Sequence, residues 1–418
     1  MIWRNKNWFT LSVLAAVAIA NFGCGPTENK GGETSTNTPP ATGTTGGTTS
    51  GRPAPTAEGN KQSGDTIKVG LVASLNGDLK PWGADCELGA KMAIDEFNAA
   101  GGVNGKKVEL MIEDSASKPE QGKTAAEKLI SDGALALIGE VASGITAQMG
   151  QSAFEKGIPL VAVGATKTDL TALGSNMFRV CYVDDFQGPV MARFAYEELG
   201  LRNVGIMTDV KQPYSTYLSK TFRAKFEELG GKVVDEQNYE SAQTQFSSQL
   251  TAIKGKNPDG LFLSGYFNEV GPIIRQASEM GLNVPYLGGD GWDSREIFTN
   301  AGDAIKNGYF CNHYNNDEKR PEVEKFLAAW KAKYNSAPAT TMGALGYDAT
   351  MVVCDALKRA ASLDSKALIE SLENTENFPA VSGAITLKGN NGNPPKRALV
   401  VGFDLARKVQ TFKKAYDN

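Results

Sequence analysis

The sequence holds one design twice. FNAAGGVNGKKVEL, from Phe97 to Leu110, runs from a helix end through Gly-Gly into a Lys-x-Val strand, and FEELGGKVVDE, from Phe226 to Glu236, repeats that order. ISDGALALIG and NPDGLFLSG are a second matched pair, each a helix end, Asp-Gly and an apolar strand. Around the first copy, strands are expected at Ile67–Ala73, Val108–Ile112, Leu135–Gly139 and Pro159–Val163, with helices at Ala84–Asn98 and Pro119–Ile130. Around the second, strands at Asn203–Thr208, Lys232–Asp235 and Gly260–Leu263 alternate with helices at Tyr217–Leu229 and Phe246–Ile253. Alternation of this kind builds a parallel sheet with helices on both faces. The expected fold class is α/β, with two similar doubly wound parallel-sheet lobes joined by a three-segment hinge.

Phe178–Asp185 and Gly308–Tyr314 are extended runs that fit neither series, and they read as crossings between lobes. A third crossing is expected near Val381–Leu387. The first lobe then comprises residues 66–184 and 314–382, and the second 185–313 and 383–418. Cys181 and Cys311 hold matching places in two crossings, so they are expected side by side, within reach of a disulfide. Cys86 and Cys354 fall on first-lobe helices. No Cys-x-x-Cys occurs, which leaves no zinc site to expect.

Leu135–Gly139 and Pro159–Val163 are followed by small and hydroxylated residues: Ala142, Ser143 and Gly144 after one, Gly164, Ala165 and Thr166 after the other. Ligands of open α/β sheets bind beyond the carboxyl ends of the strands. Ser143 stands where the next helix begins, and it reads either as an N-cap or as a donor to an anion.

The N-terminus has Arg4 and Lys6 before an uncharged, largely apolar run from Trp8 to Phe22, the pattern of an export signal. Gly23-Cys24 resembles a lipoprotein cleavage site, although Asn21 stands where an aliphatic residue is usual; Ala18-Ile19-Ala20 fits an ordinary secretory site. The expectation is a signal peptide over 1–23, a lipid on Cys24 and a disordered tether over 24–65. From Gly25 to Asp65 there is no Val, Ile, Leu, Met or aromatic residue, so the stretch has nothing with which to build a core. The formal charge of -4 gives no support for nucleic-acid binding.

Enzymatic motifs are missing. There is no G-x-G-x-x-G after the first strand, no G-x-x-x-x-G-K-[ST] and no G-x-S-x-G. His313, the only histidine, has no evident partner and reads as structural. Neither an enzyme nor a cofactor is expected.

From Ile67 to about Lys414 the chain resembles the periplasmic Leu/Ile/Val-binding proteins, amino-acid receptors of ABC importers with the type I periplasmic-binding fold. The resembling pieces include IKVGLVASLNGDLKPWGADCELGAKMAIDEFNAAGGVNG, LIGEVASGITAQ, GIPLVAVGATKTDLT, GYFNEVGPIIRQASEMGL, GGDGWDS and ALGYDA. The resemblance implies that Ser143 binds the α-carboxylate of an amino acid. It implies that Thr166 contacts carboxylate and ammonium, with the backbone of Gly164 or Ala165 beside it. Tyr214 corresponds to a tyrosine reaching the carboxylate, although Ser215 follows it where the family has Gly. Tyr266 corresponds to a tyrosine near the ammonium, Asp290 to the acid that pairs with it, and Trp82 to an aromatic of the side-chain pocket. The family's first-lobe disulfide positions fall at Ser117 and Ala142 and carry no cysteines. The implied partners are a branched-chain or other apolar amino acid, ABC permease subunits and a membrane reached through Cys24. The family also holds receptors for amides, urea and aromatic acids, and the same lobes serve sensory proteins.

Overall fold

The computed structural model describes residues 51–418. The expected signal peptide, Cys24 and the tether as far as residue 50 lie outside them. The first series runs β1 (Thr66–Ala73), α1 (Lys80–Ala99), β2 (Lys107–Asp114), α2 (Pro119–Ser131), β3 (Leu137–Ile138), α3 (Ser143–Lys156), β4 (Leu160–Ala162) and β5 (Met177–Arg179). The chain then enters α4 (Asp184–Arg193), β6 (Asn203–Asp209), α5 (Pro213–Glu228), β7 (Lys232–Tyr239), α6 (Ser247–Lys254), β8 (Gly260–Ser264), α7 (Phe267–Glu279), β9 (Tyr286–Gly288), α8 (Glu296–Ala301) and β10 (Gly308–Asn312). It ends with α9 (Pro321–Tyr334), α10 (Met342–Arg359), α11 (Ser365–Glu373), β11 (Ala398–Asp404) and β12 (Val409–Tyr416).

These strands form two sheets, ordered β2-β1-β3-β4-β5 and β12-β11-β10-β9-β8-β6-β7. Read from β7, the second sheet has the order of the first, with an antiparallel hairpin of β11 and β12 added at its β10 edge. The repeat in the sequence is therefore a repeat of topology. Its strands are buried on both faces because helices cover both, which is why they read as unbroken apolar runs. Proline opens α2, α5 and α9, where its missing N–H has no intrahelical partner to lose. Gly157 closes α3 in the left-handed conformation.

Helices α1 and α10 touch through glycines. A Cβ on Gly89 would lie 2.0 Å from the Gly343 carbonyl oxygen, and one on Gly346 would lie 2.6 Å from that of Cys86. The chain therefore returns after β10 to seal the first lobe with α9, α10 and α11.

Four expectations require correction. Phe178 and Arg179 belong to β5, the edge strand of the first sheet, and Gly308–Asn312 is β10, paired between β9 and β11 in the second: both runs are strands, and the crossings follow them. The third crossing comes later than Val381–Leu387. That segment stays on the first lobe, where Asp348 holds the N–H groups of Val381 and Ser382, and the Gly392 carbonyl still accepts from Arg179 N. Cys86, Cys181, Cys311 and Cys354 are free thiols. Cys181 Sγ faces the Ala165 carbonyl and Cys311 Sγ the Gln187 carbonyl, so each thiol is directed at backbone and not at the other sulfur.

The fourth correction concerns the tether. Its end is docked: Arg52 donates to the carbonyls of Gly174 (3.1 Å) and Met177 (2.6 Å), and Asn60 to those of Ile130 and Ala134. Gln62 bonds Gly133 and Lys68. The anchors are polar side chains donating to backbone carbonyls, which a search for apolar residues passes over.

Candidate functional site

Six strand ends converge on one cavity. In the first lobe, Trp82 follows β1, Ser143 follows β3, and Gly164 and Thr166 follow β4. In the second, Tyr214 follows β6, Tyr266 follows β8, and Asp290 follows β9. These are topologically matching strands, so the lobes contribute from equivalent places, facing one another. Val141, Gly291 and Met342 complete the wall of this small cavity. The six side chains that line it from the strand ends are at most 6% exposed, which means that the cleft is closed.

One end of the cavity offers donors. Ser143 is the first residue of α3, and its Oγ accepts from Lys167 N at 3.2 Å, which leaves its own proton free to donate. The first N–H groups of α3 lack intrahelical acceptors and carry the positive end of the helix dipole. Behind the Gly164–Thr168 turn, buried Arg179 donates to the carbonyls of Ala165 (2.6 Å), Lys167 (2.9 Å) and Thr168 (3.2 Å). Ala165 is thus directed at Arg179 and away from the cavity; of the two backbone candidates, Gly164 lines it and Ala165 does not.

The other end offers an acceptor. Asp290 is buried, with Gln187 Nε2 3.0 Å from Oδ1 and His313 Nε2 3.0 Å from Oδ2. Gln187 also donates to Asp184 Oδ1 at 2.6 Å, and its own oxygen accepts from Asp290 N at 3.2 Å. Burial, reinforced by the neighbouring Asp290 charge, pushes the Asp184 carboxyl up to about 7. The expectation that His313 lacks a partner is therefore corrected. It bonds Asp290 and stacks on Tyr182, with ring centroids 4.0 Å apart. Sequence reading also missed Gln187, Met342, Val141 and Gly291. For Gln187 a signal existed, an Asp-x-x-Gln spacing across the first helical turn after a crossing.

The walls between the two ends are aromatic. Tyr214 and Tyr266 stack at 5.4 Å, and Trp82 meets Tyr266 edge-on at 5.0 Å. Burial, together with the Asp290 charge, raises both tyrosine phenols well above their ordinary range, so they remain donors. Tyr214 Oη accepts from Gly291 N at 3.1 Å, and Tyr266 Oη meets no protein group among the described residues.

The model of the periplasmic binding protein family matches residues 66–407. The chain belongs to that family. It is 32% identical to the Leu/Ile/Val-binding protein BraC3 of Rhizobium johnstonii over 322 residues, 77% of this chain and 87% of that one. Among solved structures it is similar to the leucine-binding protein LivK of Thermotoga maritima, with 34% identity, a TM-score of 0.79, and 84% of this chain and 99% of that one covered. It is also similar to LivJ of Streptococcus pneumoniae, solved in complex with isoleucine, with 30% identity, a TM-score of 0.78 and the same coverages. No helix among the described residues is long and apolar enough to cross a membrane.

Proposed function

We propose that this protein is an extracytoplasmic receptor that captures an amino acid with an apolar, branched side chain and delivers it to an ABC permease. The observation that carries this reading is the polarity of the cavity. Ser143 and the α3 terminus supply donors, the Asp290 carboxylate supplies the acceptor, and Thr166 stands beside Asp290, both within reach of the Gln187 amide. A zwitterion needs that arrangement, with hydrogen bonds to charged groups at both ends. Trp82, Tyr214, Tyr266 and Met342 supply the apolar wall for a side chain. The class is supported by BraC3, a Leu/Ile/Val-binding protein, by LivK, a leucine-binding protein, and by the isoleucine held by LivJ.

The test is mass spectrometry of the small molecules that co-purify with the native protein, followed by calorimetry with the twenty amino acids. An amide, urea or aromatic acid in the cleft, with no amino acid binding, would refute the amino-acid assignment. In the same reading Cys24 carries the lipid that holds the receptor at a membrane. Intact mass of detergent-extracted protein should show a diacylglyceryl addition and loss of Met1–Gly23, whereas a soluble chain beginning at Asn21 would exclude the anchor.

A further inference from the structure

The acceptor end of the cavity is held from behind by the hinge. His313 directly follows β10 and opens the second crossing; Gln187 lies in the first turn of α4, directly after the first. One side chain from each crossing fixes one oxygen of Asp290: Gln187 Nε2 at Oδ1 and His313 Nε2 at Oδ2, both at 3.0 Å. Neither residue lines the cavity.

Each of the two is itself fixed. The Gln187 amide uses both donors and its acceptor, bridging Asp184 and Asp290 while receiving Asp290 N. The His313 ring is clamped against Tyr182 of the first crossing, and the residue's backbone N–H is held by Asn312 Oδ1. Asp290 sits in a one-turn segment between glycines, Gly289 and Gly291, which gives its side chain little local support. Its orientation is therefore set from the hinge.

We infer that His313 and Gln187 are positioning residues for ligand recognition, aiming the Asp290 carboxylate at the ligand's ammonium and tying it to the two crossings. The inference rests on the amino-acid reading above. Removing either residue should leave Asp290 in place but misaimed, and the loss should fall chiefly on the ammonium contact. A hydrogen bond to a charged group is typically worth about ten- to a hundredfold in affinity, so losses of that order are expected.

The experiment compares isoleucine with 3-methylpentanoate, which lacks the ammonium, on the wild-type protein and on His313→Ala, His313→Gln and Gln187→Glu. Binding is followed by calorimetry, and by displacement for the weaker acid. His313→Ala should bind isoleucine at least tenfold more weakly with its affinity for the acid unchanged. His313→Gln, whose amide N–H can stand in for Nε2–H, should recover most of the loss. Gln187→Glu replaces a donor between two carboxylates with a third carboxylate and should lose the most for isoleucine. Thermal melts of each variant report whether it is folded. Equal losses for both ligands would mean a merely structural role and overturn the inference, as would unchanged isoleucine affinity in folded variants. Wild-type protein that binds no amino acid would instead refute the reading of the ligand, a separate outcome seen before any variant is made.

Discussion

Asp290 is the residue whose removal says most about the ligand. It follows β9 of the second lobe, whereas Ser143 and Thr166 follow β3 and β4 of the first, and all three reach one closed cavity. An ammonium enclosed there without its carboxylate is a buried, unpaired charge, which typically costs about 3–5 kcal/mol. Asp290→Ala should therefore weaken isoleucine binding by roughly two to three orders of magnitude, with Asp290→Glu milder because the charge survives. Calorimetry decides, and near-wild-type affinity in the alanine variant would reduce Asp290 to a turn residue. At this scale the sequence offered candidates where a residue's neighbours suggest its chemistry, Ser143 after a strand and before a helix and Thr166 in Gly-Ala-Thr, whereas Asp290 among glycines reads as a turn residue and was singled out by the family resemblance. It was illegible where the partner is remote. His313 and Asp290 are 23 positions apart, and Gln187 and Asp290 are 103 apart, so nothing local in either stretch advertises the pairing.

Elements were legible for a different reason. A strand buried on both faces between two amphipathic helices leaves a pattern that survives in a single sequence, and a pattern that recurs is harder still to miss. The last strand of each series is less plain. β5 and β10 lie where the chain leaves each sheet, and the three residues of β5 carry too short a pattern to be told from a linker. The docked segment around Arg52 and Asn60 was hidden because hydrogen bonds to carbonyls leave no apolar signature. Helix packing was hidden as well, since Gly89 looks like any other helical glycine until α10 is laid on it. A methyl there must displace backbone, which lies 2.0 Å away at the Gly343 oxygen. Gly89→Ala gains about 1 kcal/mol of helix propensity but incurs overpacking of typically 1–3 kcal/mol against a neighbour that cannot rotate aside. The net effect should be destabilising, read as a lower urea midpoint with an unchanged slope. A stabilised variant would show that α1 and α10 separate easily.

For the molecule as a whole, buried carboxyl groups dictate how stability follows pH. Burial raises Asp184 and Glu269 to about 7 and Asp85 to about 6, with Asp290, Asp209 and Asp293 adding to the respective shifts. Between the ordinary carboxylate range near 4 and these values, the folded chain holds protons that the unfolded chain has released. Stability therefore falls as pH rises through that window and levels off above it. Melting of the ligand-free protein should occur at a higher temperature at pH 5 than at pH 7.5, and Asp184→Asn should reduce the difference; the opposite slope would contradict the burial of these groups. Closure is the other property of the whole. The lobes are latched through Asp293, whose backbone oxygen accepts from Trp82 Nε1 at 2.6 Å and whose Oδ2 accepts from Thr341 N and Oγ1 at 2.6 and 2.7 Å. Trp82 and Thr341 belong to the first lobe and Asp293 to the second, so these bonds form only when the cleft is shut. A ligand that binds the closed form appears weaker in proportion to the fraction of protein not closed. Thr341 does not line the cavity, which makes Thr341→Val a test of closure free of direct contact. The variant keeps the backbone N–H and loses one hydrogen bond to a carboxylate, a change of roughly 1.5–3 kcal/mol at most. Small-angle scattering of the ligand-free variant should give a larger radius of gyration than the wild type. Saturating isoleucine should restore the compact value, at an affinity reduced by up to about tenfold. Unchanged radius and unchanged affinity would mean that the lobes close on their apolar contacts and the ligand alone, with Asp293 a bystander.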